Sequence, residues 1–112
     1  MAAAFQIKKS GPEKFIFNLK SGNGDVLLTS EAYSAKEEAL VAIEAARTNS
    51  KLDERFERKT AANGSPYVVL KTANGQVIAR SEMFSSNMAM NNGIASMQRN
   101  GPVAVVSDET ES

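Results

Sequence analysis

The 112-residue chain matches itself without a gap when it is shifted by 51 positions. The shared positions include apolar residues, an Asn-Gly pair and a Ser-Glu pair: Phe5 with Phe56, Asn23-Gly24 with Asn74-Gly75, Ser30-Glu31 with Ser81-Glu82, and Ile43 with Ile94. Repetition at a fixed period indicates that one supersecondary unit is used twice. Because a unit of about 50 residues is near the lower limit for independent folding, we expect the two copies to share one core.

Each copy begins with segments that are typical of strands. Alternating apolar and polar residues predict a strand at residues 5–8, and a dense apolar run predicts a second strand at residues 14–20. Asn23-Gly24 then predicts a tight hairpin with positive φ at both residues, followed by a returning strand at residues 25–29. The second copy repeats this order around Asn74-Gly75, with strands predicted at residues 56–59, 67–71 and 77–80.

Each copy then changes to the spacing of an amphipathic helix. In the first copy, Ser34 and Glu37 have the spacing of a capping box, in which side chains satisfy free N–H groups of the first turn. In the second copy, Ser85 is the predicted N-cap. Apolar stripes are formed by Ala39, Ile43 and Ala46 in the first predicted helix and by Met90, Ile94 and Met97 in the second.

The end of the second copy has its own signals. Asn100-Gly101-Pro102 predicts a helix stop, because Gly accepts a left-handed cap and Pro cannot continue the helix. Gly93 lies within the predicted helix, where Gly costs about 1 kcal/mol relative to Ala, so we expect close packing at this position. Residues 103–106 predict a final short strand, and residues 107–112 predict a disordered acidic tail.

The composition excludes several classes of protein. Thirteen basic and thirteen acidic residues cancel, so no long-range field attracts nucleic acid or an anionic membrane. The absence of Cys and His removes disulfides, thiolate metal sites and the commonest general base. No apolar run approaches the ~20 residues of a membrane span, and the N-terminal residues lack the pattern of a signal peptide. The sequence therefore predicts a cytoplasmic protein with no cofactor and no membrane partner.

The motifs of both copies resemble those of the YegP-like family, which comprises small uncharacterised bacterial tandem-repeat proteins. The resemblance rests on Asn-Gly followed by Val, on Ser-Glu-x-Tyr/Phe-Ser at residues 30–34 and 81–85, and on Asn-Gly-Ile-Ala-Ser-Met at residues 92–97. It covers about residues 5–102, and the first copy departs from it at residues 41–46. The resemblance implies β-β-β-α-β units with exchanged terminal strands, which form a pseudo-dimer within one chain. It implies no established activity.

Repeat and resemblance together predict an α+β fold. One domain at residues 1–106 contains two repeats, at about residues 5–55 and 56–106, that share one antiparallel sheet. Two helices pack on one face of this sheet, and the repeats are related by a pseudo-twofold axis. Since the dimer-like contact is made within the chain, we predict a monomer.

The repeated Ser-Glu pairs are the first candidate site. Ser30, Glu31, Ser81 and Glu82 are polar and retained in both copies, which predicts two equivalent surface sites. The alternative is local bonding, in which Ser caps a turn and Glu offsets the dipole of a nearby helix N-terminus. A Ser-Glu pair without His or Lys also lacks a base that activates the hydroxyl, and no clustered carboxylates predict a metal site.

The repeated lysines are the second candidate site. Alternation places Lys8, Lys20, Lys59 and Lys71 on the polar face of the sheet, near Tyr67. Such a face could bind nucleic acid through lysines and base stacking, or the lysines could only keep the sheet soluble.

Three functions follow from these features. We favour a small non-enzymatic module that binds an unidentified protein partner or serves as an accessory protein. The second hypothesis is nucleic-acid binding through the lysine-bearing sheet face, which the balanced charge disfavours. The third is an enzyme that uses the Ser-Glu pairs, which the missing His and Cys disfavour.

Overall fold

The two repeats fold into one sheet with two helices, and the structure, a computed structural model, describes residues 2–110. In chain order the elements are β1 (Ala4–Gly11), β2 (Lys14–Lys20), β3 (Val26–Ser30), α1 (Lys36–Asn49), β4 (Phe56–Thr60), β5 (Pro66–Lys71), β6 (Val77–Arg80), α2 (Asn87–Asn100) and β7 (Val105–Asp108). The order across the sheet is β4-β5-β6-β3-β2-β1-β7. The α+β class and the shared sheet predicted from the sequence are therefore confirmed.

β3 and β6 join the two repeats. They pair antiparallel, with Thr29 opposite Arg80 and Ser30 opposite Ala79. Because Thr29 and Arg80 are 51 positions apart in the sequence, each of them faces its own repeat counterpart. The predicted pseudo-twofold axis passes between these two residues.

The last strand crosses from the second repeat to the first. β7 pairs with β1 in parallel, with Val106 beside Phe5, so the exchange of a terminal strand is present and the sheet is mixed rather than purely antiparallel. β7 includes Ser107 and Asp108, so the prediction of disorder at these residues is wrong. Hydrogen bonding to β1 orders them. Residues 111–112 of the predicted tail lie outside the described residues.

Both helices pack on the same face of the sheet and close one core. Period-two alternation directs alternate strand residues toward the helices, and both predicted helix stripes are buried. The rings of Phe5 and Phe17 meet edge to face at 5.7 Å in this layer. The core residues that the sheet contributes include Phe5, Ile7, Phe17, Leu19, Leu28, Val68, Leu70 and Ile78.

α1 begins later than predicted. The backbone N–H and C=O of Tyr33 both bond to Phe15, at 2.8 and 2.7 Å, and the chain stays extended through Ala35. The Ser34 hydroxyl therefore cannot cap the helix, and it donates to the Glu38 carboxylate at 2.9 Å instead. The predicted capping box at Ser34 is wrong.

α2 has a side-chain cap one residue beyond the predicted position. Ser86, rather than Ser85, is the N-cap, and its Oγ accepts a hydrogen bond from Ala89 N at 3.0 Å. The helix ends at Asn100 as predicted, but Gly101 has a φ of −56°. Gly101 is therefore not a left-handed cap, and its lack of a side chain has another reason.

The two Asn-Gly hairpins are present, but their turns differ from the prediction. Gly24 and Gly75 have positive φ, at 92° and 88°, whereas Glu13 is the one described residue other than glycine that does. Asn23 therefore does not have the positive φ that we predicted. Gly24 N donates to Ser21 O at 3.0 Å, so Gly24 is the last residue of a four-residue turn. Within the Asn-Gly pair, only this position needs the positive φ that glycine adopts without strain.

Gly93 packs against an aromatic ring. A Cβ atom at Gly93 would lie 2.7 Å from Cζ of Phe84, which is too close for a real contact. The close packing expected at this glycine is therefore present, and its partner is the ring of Phe84.

A second close contact lies near the pseudo-twofold axis. Gly101 contacts Ser50, its own counterpart 51 positions earlier. A Cβ atom at Gly101 would lie 2.9 Å from Ser50 Cβ and closer still to the Ser50 hydroxyl. The space beyond the two helix ends therefore holds one side chain, and the repeats cannot be identical at this pair.

We expect Gly101→Ser to lower the free energy of unfolding by about 1–3 kcal/mol, because the added side chain overpacks the contact with Ser50. The exchanged double variant Ser50→Gly/Gly101→Ser should recover most of this loss, with Ser50→Gly alone as the background. Urea denaturation of all three variants measures the effect. A double variant no more stable than Gly101→Ser would contradict this account of the contact.

An ion pair holds β7 against the helix layer. Lys36 contacts the Asp108 carboxylate, and hydrogen bonds from Lys36 and then Thr110 hold the pKa of Asp108 well below its ordinary value of 3.8. A lowered pKa stabilises the fold above the ordinary value, and this stabilisation is lost as the pH falls below it.

Asp108→Asn should therefore reduce the free energy of unfolding at pH 7, and the difference from the unmodified chain should shrink at pH 2.5. Urea denaturation at both pH values tests this, with Asp25→Asn in an exposed turn as the control. An Asp108→Asn effect of equal size at both pH values would show that the charge of Asp108 does not act.

Candidate binding face of the sheet

One face of the sheet is left uncovered because both helices pack on the other. The repeated lysines alternate with fully buried residues, so they lie on the uncovered face: Lys8 follows Ile7, Lys20 follows Leu19, and Lys71 follows Leu70. Lys59 is directly opposite Tyr67 on the neighbouring strand. The structure therefore brings Lys8, Lys20, Lys59, Lys71 and Tyr67 to one face, as the alternation predicts.

Arg80 adds a cation that the sequence reasoning missed. It lies at the centre of this face, where its Nη2 is 3.2 Å from Oε2 of Glu31. Arg80, Glu31, Lys59 and Tyr67 line a shallow cleft of about 190 Å³. The alternation of residues 77–80 could have identified Arg80, because it follows the apolar position Ala79 on a strand.

The carboxylate of Glu57 partly neutralises the positive charge on the second-repeat half of the face. Glu57 contacts Lys71, and its Oε1 is 4.0 Å from Nζ of Lys59. The hydrogen bond from Lys71, with a smaller contribution from the Lys59 charge, holds the pKa of Glu57 below its ordinary value. Its counterpart in the first repeat is the uncharged Gln6, and the carboxylate near Lys8 is instead that of Glu109, which lines a pocket with Gln6, Lys8 and Lys9.

Ser30 and Ser81 are buried, so their prediction as surface residues is wrong. Ser30 Oγ accepts a hydrogen bond from Phe17 N at 2.8 Å and donates to the backbone carbonyl of Glu31 at 2.8 Å. Ser81 makes the matching pair with Val68 N, at 3.0 Å, and with the backbone of Glu82. In each pair, the serine hydroxyl accepts the backbone N–H that a carbonyl of the neighbouring strand would otherwise accept, at the point where the two strands separate.

The two glutamates of the Ser-Glu pairs differ from each other. Glu31 is paired with Arg80, whereas Glu82 is exposed to solvent. Because both serine hydroxyls bond to the backbone on each side, this arrangement fits local bonding better than nucleophilic chemistry.

Two further properties bear on the kind of site. Among residues 2–110, no group of three or more Asp and Glu side chains is placed to hold a metal ion. Neither α1 nor α2 is long and apolar enough to cross a membrane.

Comparison with known proteins supplies the family. The profile of DUF1508, a domain of unknown function, matches residues 12–57 and 61–108. The UPF0339 protein YegP of Escherichia coli K12 is 44% identical over 110 residues, which cover 98% of this chain and 100% of that protein.

Two solution NMR structures share the fold. The UPF0339 protein of Shewanella oneidensis has a TM-score of 0.92 and 42% identity, covering 100% of this chain and 95% of that one. YegP of E. coli, described as a protein of unknown function, has a TM-score of 0.92 and 45% identity, covering 100% and 97%. The resemblance inferred from the motifs is confirmed: the chain belongs to the YegP-like family, and its two repeats are two DUF1508 domains.

Proposed function

We propose that the chain is a non-enzymatic binding module that recognises an acidic protein surface through the uncovered face of its sheet. The observation that carries this proposal is the concentration of Lys8, Lys20, Lys59, Lys71 and Arg80 on one face of a chain with no net charge. Glu31, Glu57 and Glu109 lie beside these cations but are fewer than them. Since the charges balance over the whole chain, the remaining excess of cations on this face is matched by carboxylates elsewhere. Such separation favours attraction and orientation of an acidic partner.

The face also has the composition of a protein interface. Ile16, Tyr67 and Val77 are half-buried on it, and Val26 is 38% exposed. Apolar side chains surrounded by charged ones match the apolar core and polar rim of interfaces between proteins. The molecule measures 37 × 31 × 25 Å, which leaves room on its broad side for the ~800 Å² per partner of a standard interface.

Nucleic acid fits this face less well. Sheet-based binders stack bases on several aromatic rings, whereas Tyr67 is the one aromatic residue on the uncovered face of the described sheet. The rings of Phe5, Phe17 and Phe56 are buried in the core. The enzyme hypothesis has less support still, because the hydroxyls of the Ser-Glu pairs are held by backbone groups.

The cytoplasmic location and the monomeric state that we predict from the sequence belong to this proposal. The pairing of β3 with β6 makes the pseudo-twofold contact within one chain. A second copy is therefore not required to complete the sheet face.

Charge neutralisation on the face tests the proposal. Lys8→Gln/Lys20→Gln should weaken capture of an acidic protein partner about tenfold, since each exposed charge pair contributes up to ~1 kcal/mol. Lys51→Gln/Arg99→Gln is the matched control, because it removes two exposed cations outside the face. Partners captured from the native lysate by each immobilised variant are compared by quantitative mass spectrometry at low and high salt.

We expect a partner that the unmodified chain and the control pair retain, that the face pair loses, and that salt releases. Equal capture by all three forms would contradict binding through this face. If nuclease treatment removes the bound material, the face binds nucleic acid, and the proposal of a protein partner is overturned.

A further inference from the structure

A cavity of about 510 Å³ opens between α1 and the hairpin that joins β5 to β6. Ala42 and Ile78 are buried in its wall, Ala45 is half-buried, and the more exposed Glu37 and Glu38 lie at its rim. Its volume is within the range of ~300–1,000 Å³ that small-molecule sites occupy. Apart from Val77, the residues that line it differ from those of the cleft on the lysine face, and α1 forms one of its walls.

The cavity arises from a difference between the repeats. In the second repeat the ring of Phe84 lies against Gly93, with Cζ 2.7 Å from the place of a Cβ atom. Their counterparts in the first repeat are Tyr33 and Ala42. Because Ala42 has a Cβ atom, the Tyr33 ring cannot approach α1 as closely as the Phe84 ring approaches α2. Tyr33 and Ala42 both line the cavity beside α1, whereas the matching pair in the second repeat is in close contact.

The rim carboxylates are also specific to the first repeat. The positions of Glu37 and Glu38 are occupied by Met88 and Ala89 in the second. Both glutamates lie in the first turn of α1, which has no side-chain cap, so they also offset the helix dipole there, whereas α2 is capped by Ser86. Two acidic residues beside an apolar wall therefore form a feature separate from the packing of the core.

The charge at the cavity is negative. The described residues that line it include Glu37 and Glu38 but no lysine or arginine. Ser34 Oγ donates a hydrogen bond to Glu38 Oε1 at 2.9 Å, which holds this carboxylate at the rim. Burial, and then the charges of Glu31 and Glu38, raise the pKa of the Tyr33 hydroxyl. Tyr33 is therefore a neutral hydrogen-bonding group in a negative environment.

We propose that this cavity binds a small amphipathic amine. The ammonium group lies between Glu37 and Glu38, within reach of the Tyr33 hydroxyl, and the aliphatic body packs against Ala42, Ala45 and Ile78. The complementary charge at the rim selects a cation, and the apolar wall selects an aliphatic chain rather than a hydrated metal ion. This site is additional to the protein-binding face and does not depend on it.

Titration of the full chain with n-hexylammonium, followed by NMR, tests the assignment. We expect saturable shifts at the amides of Ala42, Ala45 and Ile78, at least about tenfold weaker binding of n-hexanol, and no binding of hexanoate. Glu37→Gln/Glu38→Gln should weaken amine binding about tenfold and leave hexanol binding unchanged. Glu44→Gln, on the same helix but outside the cavity, is the control and should bind the amine normally.

A second variant places a cation in the cavity itself. Val41 lines the cavity and is 70% exposed, so Val41→Lys should fold normally, pair with Glu37 four residues earlier and abolish amine binding. Asn92→Lys is the matched control at the equivalent exposed position of the second repeat. The proposal is overturned if hexylammonium causes no saturable shifts or if the charge variants bind it as tightly as their controls.

Discussion

The whole sheet depends on the pairing of β3 with β6. Two residue pairs, Thr29 with Arg80 and Ser30 with Ala79, make this junction, so the backbone hydrogen bonds there are few. The helices reinforce it, because α1 packs on strands of both repeats and α2 does the same. Neither repeat can bury its helix stripe alone, and the shared layer of apolar side chains joins them more strongly than the short ladder does.

The two repeats cannot have the same side chain where equivalent residues contact each other near the pseudo-twofold axis. At Ser50 and Gly101, two equivalent positions contact each other and the space between them holds one side chain. Away from the axis, the repeats are free to differ without strain. Phe84 packs closely against Gly93 on α2, while Tyr33 and Ala42 line a cavity beside α1. Tandem duplication therefore permits one copy to keep a close contact where the other has a cavity.

Much of the fold could be predicted from the sequence because its signals are local. A dense apolar run located β2 and the repeat of the first copy located β6, both with the bounds that the structure has, and helical spacing identified both buried stripes. The prediction of an N-cap at Ser34 is wrong because Tyr33 pairs with Phe15. These two residues are 18 positions apart, so the local spacing of residues does not reveal their contact. The parallel pairing of β7 with β1 is similarly nonlocal.

The candidate sites also divide into features that the local sequence pattern predicts and features that depend on nonlocal contacts. The lysine face follows from period-two alternation, so its residues could be named in advance. Burial of Ser30 and Ser81 depends on how strands separate, and the cavity depends on where one ring rests relative to one Cβ atom. These features require coordinates because they are set by contacts between elements that are distant in the sequence.

The exchange of β7 has a consequence for the order in which the protein forms. β1 is the first strand of the described chain, yet one of its two neighbours is β7, the last strand of the described chain. Until β7 has been made, β1 presents an unpaired edge and its backbone groups bond only to water on that side. The contacts of longest sequence separation are therefore also the last that can form. Folding of the sheet is completed after synthesis of the second repeat rather than repeat by repeat.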